Sequence, residues 1–388
     1  MLKSDWSVRT VPIVAFSVLF LFGTVVPSWA TGNIVKSDLK GTWRISLRGL
    51  TDCGLAGMLA TITLGTNGTG TGPLQTHGAC GDSTLPGQTF TVKTLLKTGE
   101  GTASLTCGAG CEWNFEIQVA PDRTKINLID VNPAETTHFL GGEAILSSPA
   151  DNIVVADMKG DWQVMVSGRL ASCRAISGVA TFTLNASGSG VATFTRDTAD
   201  CGVLTVMPTF TILGLNADGS GTASLTCGFS GCPFNFEIQV SPDRSTFNLV
   251  TASGNPGNFL AGVAIRRSTA GNITKTNLAG AWQSTVHIVD LSDDVEGVLG
   301  TFRLTAKALS NSVTLVSHGT DGDFTLTDNV LTVQTLNPDG SGTARMTPNC
   351  AGCLPLDLRI QVSPDRSIII LVDVTPDNEF AFGTAIHQ

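Results

Sequence analysis

Polar and apolar residues alternate strictly along one stretch of the chain, and this stretch occurs three times. Residues 113–119 read WNFEIQV, residues 234–240 read FNFEIQV and residues 356–362 read LDLRIQV. Because successive side chains of a β-strand point to opposite faces, each copy predicts a strand with one buried and one polar face. We interpret the polar row, which includes Glu116 and Gln118, as a solvated face, with a contact between domains as the alternative.

A Pro-Asp-Arg triplet follows each of these strands, at residues 121–123, 242–244 and 364–366, and a second extended run follows the triplet. Proline presets the backbone of a turn, and aspartate accepts a hydrogen bond from the backbone that follows, so a type I turn explains the first two residues. Turn geometry does not explain the arginine. We expect it to pair with the aspartate or to stack on a neighbouring strand.

The resulting β-hairpin is part of a longer unit of about 120 residues that occurs three times. Each unit opens on Asn-Ile, at Asn33, Asn152 and Asn272, and soon reaches a Gly-x-Trp motif. Such a period is far above that of solenoid repeats, so each copy is predicted to be a whole domain with its own core. The predicted domains are residues 31–148, 149–268 and 269–388.

Each unit contains about eight predicted strands, mostly joined by short turns, and almost no helical periodicity. This pattern favours an all-β protein of three tandem antiparallel eight-stranded up-and-down β-barrels, with β-sandwiches as the alternative. The composition agrees with a β-rich protein, since 42% of the residues are hydrophobic, 14% are charged and 43 are glycine.

The first thirty residues have the features of a secretory signal peptide. Lys3 and Arg9 precede an apolar stretch, and small residues precede a cleavage site after Ala30. A retained membrane anchor is the alternative, although the apolar stretch is short for a span. We therefore expect a secreted, periplasmic or cell-surface protein. The net charge of -9 and the lack of a basic stripe disfavour nucleic-acid binding.

The ten cysteines sort into five predicted disulfides when the copies are compared. Two pairs close loops of about 28 residues and are jointly absent from the third copy, whereas three pairs are local. A secretory signal favours structural disulfides over a redox or zinc site. The predicted pairs are Cys53 with Cys80, Cys173 with Cys201, Cys107 with Cys111, Cys227 with Cys232, and Cys350 with Cys353.

Few segments suggest further chemistry. The glycine-rich loops 216–221 and 337–342 resemble half of a calcium loop, but Asp-Gly between two strands is an ordinary hairpin signal. An acidic loop from Asp290 to Glu296 is unique to the third copy and receives no assigned role. The five histidines are scattered, and no catalytic or phosphate-binding motif is present. We expect no metal, no cofactor and no enzymatic activity.

The Gly-x-Trp motifs at residues 41–43, 160–162 and 280–282 resemble the lipocalin and wider calycin pattern. In that superfamily the motif opens the first strand of an eight-stranded barrel, and its tryptophan packs at the closed end. Candidate counterparts of the basic residue that lipocalins place near the barrel's end are Arg266 and Arg267. The resemblance implies that a barrel holds one small, often apolar, molecule.

Two functions therefore remain open. The protein is either a binding protein for a small apolar molecule or a structural or adhesion protein whose tandem barrels meet cell-surface or matrix partners through avidity. An eight-stranded barrel is only just wide enough for its own side chains, so a hollow interior would favour the first and filled barrels the second. The oligomeric state is left open. Candidate ligand-binding residues are Trp43, Trp113, Phe115, Trp162, Phe234, Phe236 and Trp282.

Overall fold

With one exception in the second repeat, each strand pairs with its neighbour in the sequence, and the last strand of each repeat pairs with the first. Three closed antiparallel eight-stranded barrels result, which confirms the predicted fold class over β-sandwiches. The structure is a computed structural model. It describes residues 33–51, 54–78, 81–108, 110–131, 139–170, 174–198, 201–227, 232–252, 258–290, 295–319, 324–350, 353–374 and 379–388.

The strands are numbered β1 to β25 along the chain. Barrel 1 consists of β1 Gly41–Thr51, β2 Gly54–Leu64, β3 Thr69–Gly78, β4 Ser83–Leu95, β5 Glu100–Thr106, β6 Glu112–Val119, β7 Lys125–Asp130 and β8 Phe139–Ser147. Barrel 2 consists of β9 Gly160–Leu170, β10 Arg174–Leu184, β11 Ser189–Thr198, β12 Leu204–Val206, β13 Thr209–Leu215, β14 Ser220–Thr226, β15 Phe234–Val240, β16 Thr246–Thr251 and β17 Phe259–Arg266. Barrel 3 consists of β18 Gly280–Asp290, β19 Val295–Leu304, β20 Leu309–Gly319, β21 Phe324–Leu336, β22 Ser341–Thr347, β23 Leu356–Val362, β24 Ile368–Asp373 and β25 Glu379–His387.

Barrel 2 has nine strands by this numbering because its fourth strand is divided into β12 and β13. Both parts pair with β11, and Pro208 lies between them. Proline has no backbone N–H to donate to a sheet, which explains a break at this position.

The Gly-x-Trp motif closes one end of each barrel. In barrel 1 the indole N–H of Trp43 donates to the Leu39 carbonyl at 2.7 Å, which fixes the 3-10 helix Lys36–Leu39 over the barrel end. Gly41 has a φ of 146°, a conformation that a residue with a β-carbon rarely adopts. The same arrangement recurs with the 3-10 helices Val155–Met158 and Lys275–Leu278, the glycines Gly160 and Gly280, and the tryptophans Trp162 and Trp282. A further short 3-10 helix, Pro149–Asp151, joins barrels 1 and 2.

The three barrels form one compact unit in which each contacts both others. The second strand of each barrel lies against the seventh and eighth strands of the next: β2 against β16 and β17, β10 against β24 and β25, and β19 against β7 and β8. Each interface therefore pairs the second-strand surface of one barrel with the seventh- and eighth-strand surface of the next, and this pairing occurs three times. A head-to-tail contact that closes after three copies generates a ring with a pseudo-threefold axis.

Apolar side chains on the outer faces of the barrels fill the interfaces of this ring. One cluster joins Ile129 of barrel 1, Val250 of barrel 2 and Leu299 of barrel 3. A second, larger cluster joins Met165 and Val263 of barrel 2 with strands β24 and β25 of barrel 3. Strands such as β7 and β16 are therefore buried on both faces, inside the barrel and outside it.

The polar row of the alternating strand is not a solvated face at its glutamine positions, so that interpretation is wrong there. Gln118, Gln239 and Gln361 are exposed by only 1%, 0% and 0%. Gln118 donates through its Nε2 to the carbonyls of Thr98 and Val119 at 3.0 and 2.9 Å, which ties the turn before β5 to the end of β6. Elsewhere in the row, Glu237 accepts a hydrogen bond from Arg44 of barrel 1, in agreement with the alternative of a domain contact.

The arginine of each Pro-Asp-Arg turn connects the hairpin to the start of its own repeat. Arg123 Nε donates to Asp38 at 3.1 Å, Arg244 Nε donates to Asp157 at 3.1 Å, and Arg366 reaches Asn272 at 3.5 Å. The expected pairing with the turn's own aspartate is therefore wrong. The aspartate serves the turn as predicted, since the backbone N–H of Thr124 donates to Asp122 at 3.0 Å.

The three local disulfides are present, at Cys107–Cys111, Cys227–Cys232 and Cys350–Cys353. Cys201 is also disulfide-bonded, but its predicted partner Cys173 lies outside the described residues, as do Cys53 and Cys80. Disulfides are consistent with an extracellular location. The predicted signal peptide and most of the acidic loop after Asp290 also lie outside the described residues. Within the described part of the chain, no helix has the length and apolar character needed to cross a membrane.

Candidate functional site

The interiors of barrels 1 and 2 are packed with large side chains. In barrel 2, the ring centroids of Trp162 and Phe247 are 5.0 Å apart, those of Phe247 and Phe210 are 6.1 Å apart, and those of Phe210 and Phe182 are 4.9 Å apart. Stacked and tilted aromatic pairs at these distances pack closely and leave little free space. Such a contiguous column of rings fills the closed half of the barrel.

Barrel 3 carries smaller side chains at the same strand positions. Leu358 replaces Phe115 and Phe236, and Leu356 replaces Trp113 and Phe234. On β21, Leu331 takes the place of Phe90 and Phe210, as the register of β21 with β22, and of the corresponding strands in the other barrels, shows. Ser284 and Gly300 face each other where barrel 1 has Ile45 and Ala60. The backbone of barrel 3 therefore encloses less side-chain volume.

Solvent reaches inward-facing apolar groups of barrel 3 that are closed off in the other barrels. Leu371 is half-buried, whereas its counterparts Leu128 and Leu249 are exposed by 0% and 2%. Leu315 is also half-buried, whereas Leu74 and Phe194 are exposed by 0% and 1%.

Val286 is likewise more exposed than its counterpart in barrel 2. It is half-buried, while Val166, the same residue at the same position in barrel 2, is 6% exposed. The strand register places Val286 and Leu371 in one inward-facing row, on either side of Gly383. We use the name barrel-3 cavity for the inward-facing region of barrel 3 around four residues, Ser284, Val286, Leu315 and Leu371.

The mouth of this cavity is polar. Glu296 pairs with Ile288 in the register of β18 and β19, one inward-facing row beyond Val286 toward the open end. Ser317 donates its hydroxyl to the Glu296 carboxylate. Barrel 1 has Ala56 at the position of Glu296, and barrel 2 has Ile176. The open end of barrel 3 therefore combines an apolar interior with a carboxylate at the rim.

A second cluster of polar groups lies on the pseudo-threefold axis. The aspartates of the three Pro-Asp-Arg turns, Asp122, Asp243 and Asp365, place carboxylate oxygens within 4.8 Å of one another. Lys125 is 3% exposed, and its Nζ lies 3.5 Å from Asp243 and 4.0 Å from Asp122. Burial alone would lower the pKa of Lys125, but the three surrounding carboxylates outweigh it and raise that pKa above its ordinary value.

The charge of Lys125 acts on the aspartates in turn. Burial alone would raise the pKa of Asp243, but Lys125 and the hydrogen bonds from Ser241 and Ser245 hold it below its ordinary value. The aspartate cluster thus contains its own cation, an ammonium group supplied by barrel 1. We assign it to the interface between the barrels and assign no metal to it.

Further along the interface between barrels 1 and 3, Arg48 and Glu143 form a buried ion pair at 3.1 Å. The Arg48 guanidinium also lies 3.9 Å above the ring of Phe382, and Thr384 donates to Glu143 at 3.3 Å. His287 of barrel 3 is 3% exposed and lies beside Gly141, where a β-carbon would come within 2.3 Å of the imidazole. Burial, with the nearby charge of Arg48, lowers the pKa of His287 well below its ordinary value of 6.5.

The end of each barrel can be compared with the calycin pattern. In barrel 2 the guanidinium carbon of Arg266 lies 4.9 Å from the Trp162 ring centroid, the place that the resemblance implies for a basic residue. In barrel 3, His387 takes this place, 4.7 Å from Trp282. Arg267 points elsewhere and pairs with Asp339. Three closed eight-stranded antiparallel barrels fit a calycin-like fold.

Comparison with known proteins adds little beyond the fold. No protein-family model and no curated protein matches the sequence. Among solved structures, kievitone hydratase from Nectria haematococca is similar at 9% identity and a TM-score of 0.23, over 62% of this chain and 94% of its own. A protein of the DUF3598 family from Nostoc punctiforme matches at 10% identity and a TM-score of 0.22, over 63% of this chain and 100% of its own. The structure of CghA with Sch210972 matches at 8% identity and a TM-score of 0.22, over 89% and 87%.

The expectation that the protein has no enzymatic activity is contradicted, because the similar structures include a hydratase. Likeness at this identity and TM-score shows no shared chemistry. The physical reason for the correction is that catalytic groups inside a barrel come from separate strands and need no fixed sequence spacing. The lack of a catalytic motif in the sequence therefore does not exclude an enzyme.

All seven predicted ligand-binding residues are buried inside the barrels. Trp43, Trp162 and Trp282 pack at the closed ends, while the other four, Trp113, Phe115, Phe234 and Phe236, belong to the cores of barrels 1 and 2. The sequence analysis missed the lining of the barrel-3 cavity. Alignment of the three copies contained a signal for it, namely the loss of aromatic residues from the third copy of the alternating strand.

Proposed function

We propose that the protein binds a small, mainly apolar molecule inside barrel 3. The observation that carries the proposal is the exposure of inward-facing apolar groups at Val286, Leu315 and Leu371, since their counterparts in barrels 1 and 2 are buried. Ligand sites in proteins are concave and mostly apolar, with a few polar groups that orient the ligand. The barrel-3 cavity has this character, with Ser284 at its depth and Glu296 at its mouth.

Barrels 1 and 2 have a supporting role in this proposal. Their packed interiors and the apolar interfaces of the ring hold barrel 3 against two rigid neighbours. Such support favours ligand binding, because a preformed cavity loses less conformational entropy when a ligand enters it. The ring arrangement does not favour an extended spacer, since each barrel contacts both others and the three do not lie in a row.

Filling the cavity is expected to abolish binding. Val286→Phe places an aromatic ring in the row shared by Val286 and Leu371, so the apolar fluorophore N-phenyl-1-naphthylamine should lose its enhanced emission on titration. Because space is available at this position, we expect little change in the free energy of unfolding.

The matched control is Val166→Phe, the same substitution at the same position of packed barrel 2. It should retain fluorophore binding and lose about 1–3 kcal/mol of stability through overpacking. Equal binding by wild type and Val286→Phe would contradict the proposal, as would loss of binding in Val166→Phe alone.

A further inference from the structure

A second concave site lies outside the barrels, in the seam between barrel 2 and barrel 3. It is a cleft of about 150 Å³ between the outer faces of β10 and β11 on one side and β23 and β24 on the other. Four valines, Val179, Val203, Val372 and Val374, line it together with Arg196 and Arg359. Val203 and Val374 are 67% and 42% exposed, which places them at the rim.

We propose that this seam cleft binds a small organic carboxylate, with its apolar body against the valines and its charge at Arg359. The volume suits a molecule of one aromatic ring, since protein cavities of about 150 Å³ hold benzene. A guanidinium group presents two parallel N–H donors that match the two oxygens of a carboxylate. The seam cleft supplies both parts of such a ligand's surface.

Arg359 is the anchor for the carboxylate. Its side chain is exposed, and among the described residues it has no hydrogen-bond or ion-pair partner, so its donors are available to a ligand. The equivalent residue of barrel 2, Glu237, is already engaged by Arg44 of barrel 1. Barrel 3 thus presents an available cation at the position where barrel 2 uses a carboxylate to join its neighbour.

Arg196 also lies at the cleft but is not an anchor for the ligand. It alternates along β11 with the core residues Ala192 and Phe194, so its side chain faces the interior of barrel 2, where it is 7% exposed. Asp373 pairs with the core residue Leu358 in the register of β23 and β24, so its side chain faces the interior of barrel 3. Among the residues that line the cleft, Arg359 is thus the charged group on the outer face, and its positive charge favours an anionic over a neutral ligand of the same shape.

The test compares benzoate with its neutral isostere benzamide by isothermal titration calorimetry on the full chain. We expect benzoate to bind more tightly than benzamide. Arg359→Gln should weaken benzoate binding by about tenfold, the effect of losing a charge-assisted contact. The matched control Arg303→Gln, another exposed arginine of barrel 3, should leave it unchanged.

Val286→Phe should also leave benzoate binding unchanged, which separates this site from the barrel-3 cavity. Equal affinity for benzoate and benzamide would overturn the proposal, and so would an Arg359→Gln variant that binds benzoate like wild type. Loss of benzoate binding in Val286→Phe would instead place the carboxylate inside barrel 3 and refute the seam cleft alone.

Discussion

Replacing Arg48 by alanine is expected to lower the free energy of unfolding by about 3–5 kcal/mol. Arg48 and Glu143 both belong to barrel 1 and lie at its interface with barrel 3. Their side chains are only 4% and 7% exposed, and Arg48 Nη2 lies 3.1 Å from Glu143 Oε1. Without the guanidinium, the Glu143 carboxylate remains buried with an uncompensated charge, which is far more costly than the loss of a surface pair. The Phe382 ring would also lose the cation above it.

Chemical denaturation measures this effect, and a double variant isolates its cause. Arg48→Met with Glu143→Leu removes both charges and should recover most of the lost stability, because an apolar pair of similar size needs no compensation. Arg345→Ala is the matched control, since Arg345 pairs with Asp357 at 2.7 Å on the exposed surface, and it should change stability little. If Arg48→Ala destabilises the protein no more than Arg345→Ala, the buried pair does not hold the ring together.

Stability is expected to fall steeply as the pH drops below about 6.5, because the protein buries His287 in its neutral form. The pKa of His287 in the folded protein lies well below 6.5, whereas the unfolded chain titrates near that value. Below pH 6.5 the unfolded chain therefore binds a proton that the folded protein excludes. Stability from this group is complete above pH 6.5 and falls by about 1.4 kcal/mol per pH unit below it, until the folded pKa is reached.

The pH dependence of urea denaturation tests this expectation. His287→Gln should flatten the profile between pH 6.5 and the acid limb, because no proton uptake is then linked to unfolding at this position. His77→Gln is the control, since His77 contacts the carboxylate of Asp82 at 2.9 Å, whereas His287 lies near the cationic Arg48. An unchanged slope in His287→Gln would refute the assignment.

The barrels themselves could be predicted from the sequence because local patterns determine them. Strict alternation in residues 113–119 and its two copies defines a strand with one buried face, and Gly-x-Trp marks where each barrel begins. Even the role of Gly41 follows from a backbone conformation that favours glycine. Such information lies within short segments, which one sequence is enough to reveal.

The ring could not be predicted in the same way, because its contacts join residues that are far apart and chemically unlike in the three copies. Arg48 of barrel 1 corresponds to Ser167 of barrel 2 and His287 of barrel 3. Lys125 likewise corresponds to Thr246 and Ile368. The aspartates on the axis, Asp122, Asp243 and Asp365, do repeat, but their Pro-Asp-Arg triplet was interpreted as a turn alone. The buried glutamines of the polar row were likewise interpreted as solvated.

The candidate site was missed for a related reason. Searching for aromatic residues led to Phe115 and Phe236, which fill barrels 1 and 2. A cavity is instead marked by smaller side chains, and its presence depends on whether neighbouring residues collapse into the space. That outcome is visible only in the packed structure, through the exposure of Val286 and Leu371.

Crystals pressurised with xenon give the most direct test of the central claim, since xenon binds in apolar cavities without needing a specific partner. We predict a xenon atom inside barrel 3, between Val286 and Leu371, and none inside the packed interiors of barrels 1 and 2. The Val286→Phe variant should lose this atom. Xenon in barrel 1 or barrel 2 but not in barrel 3, or no xenon in any barrel, would contradict the account.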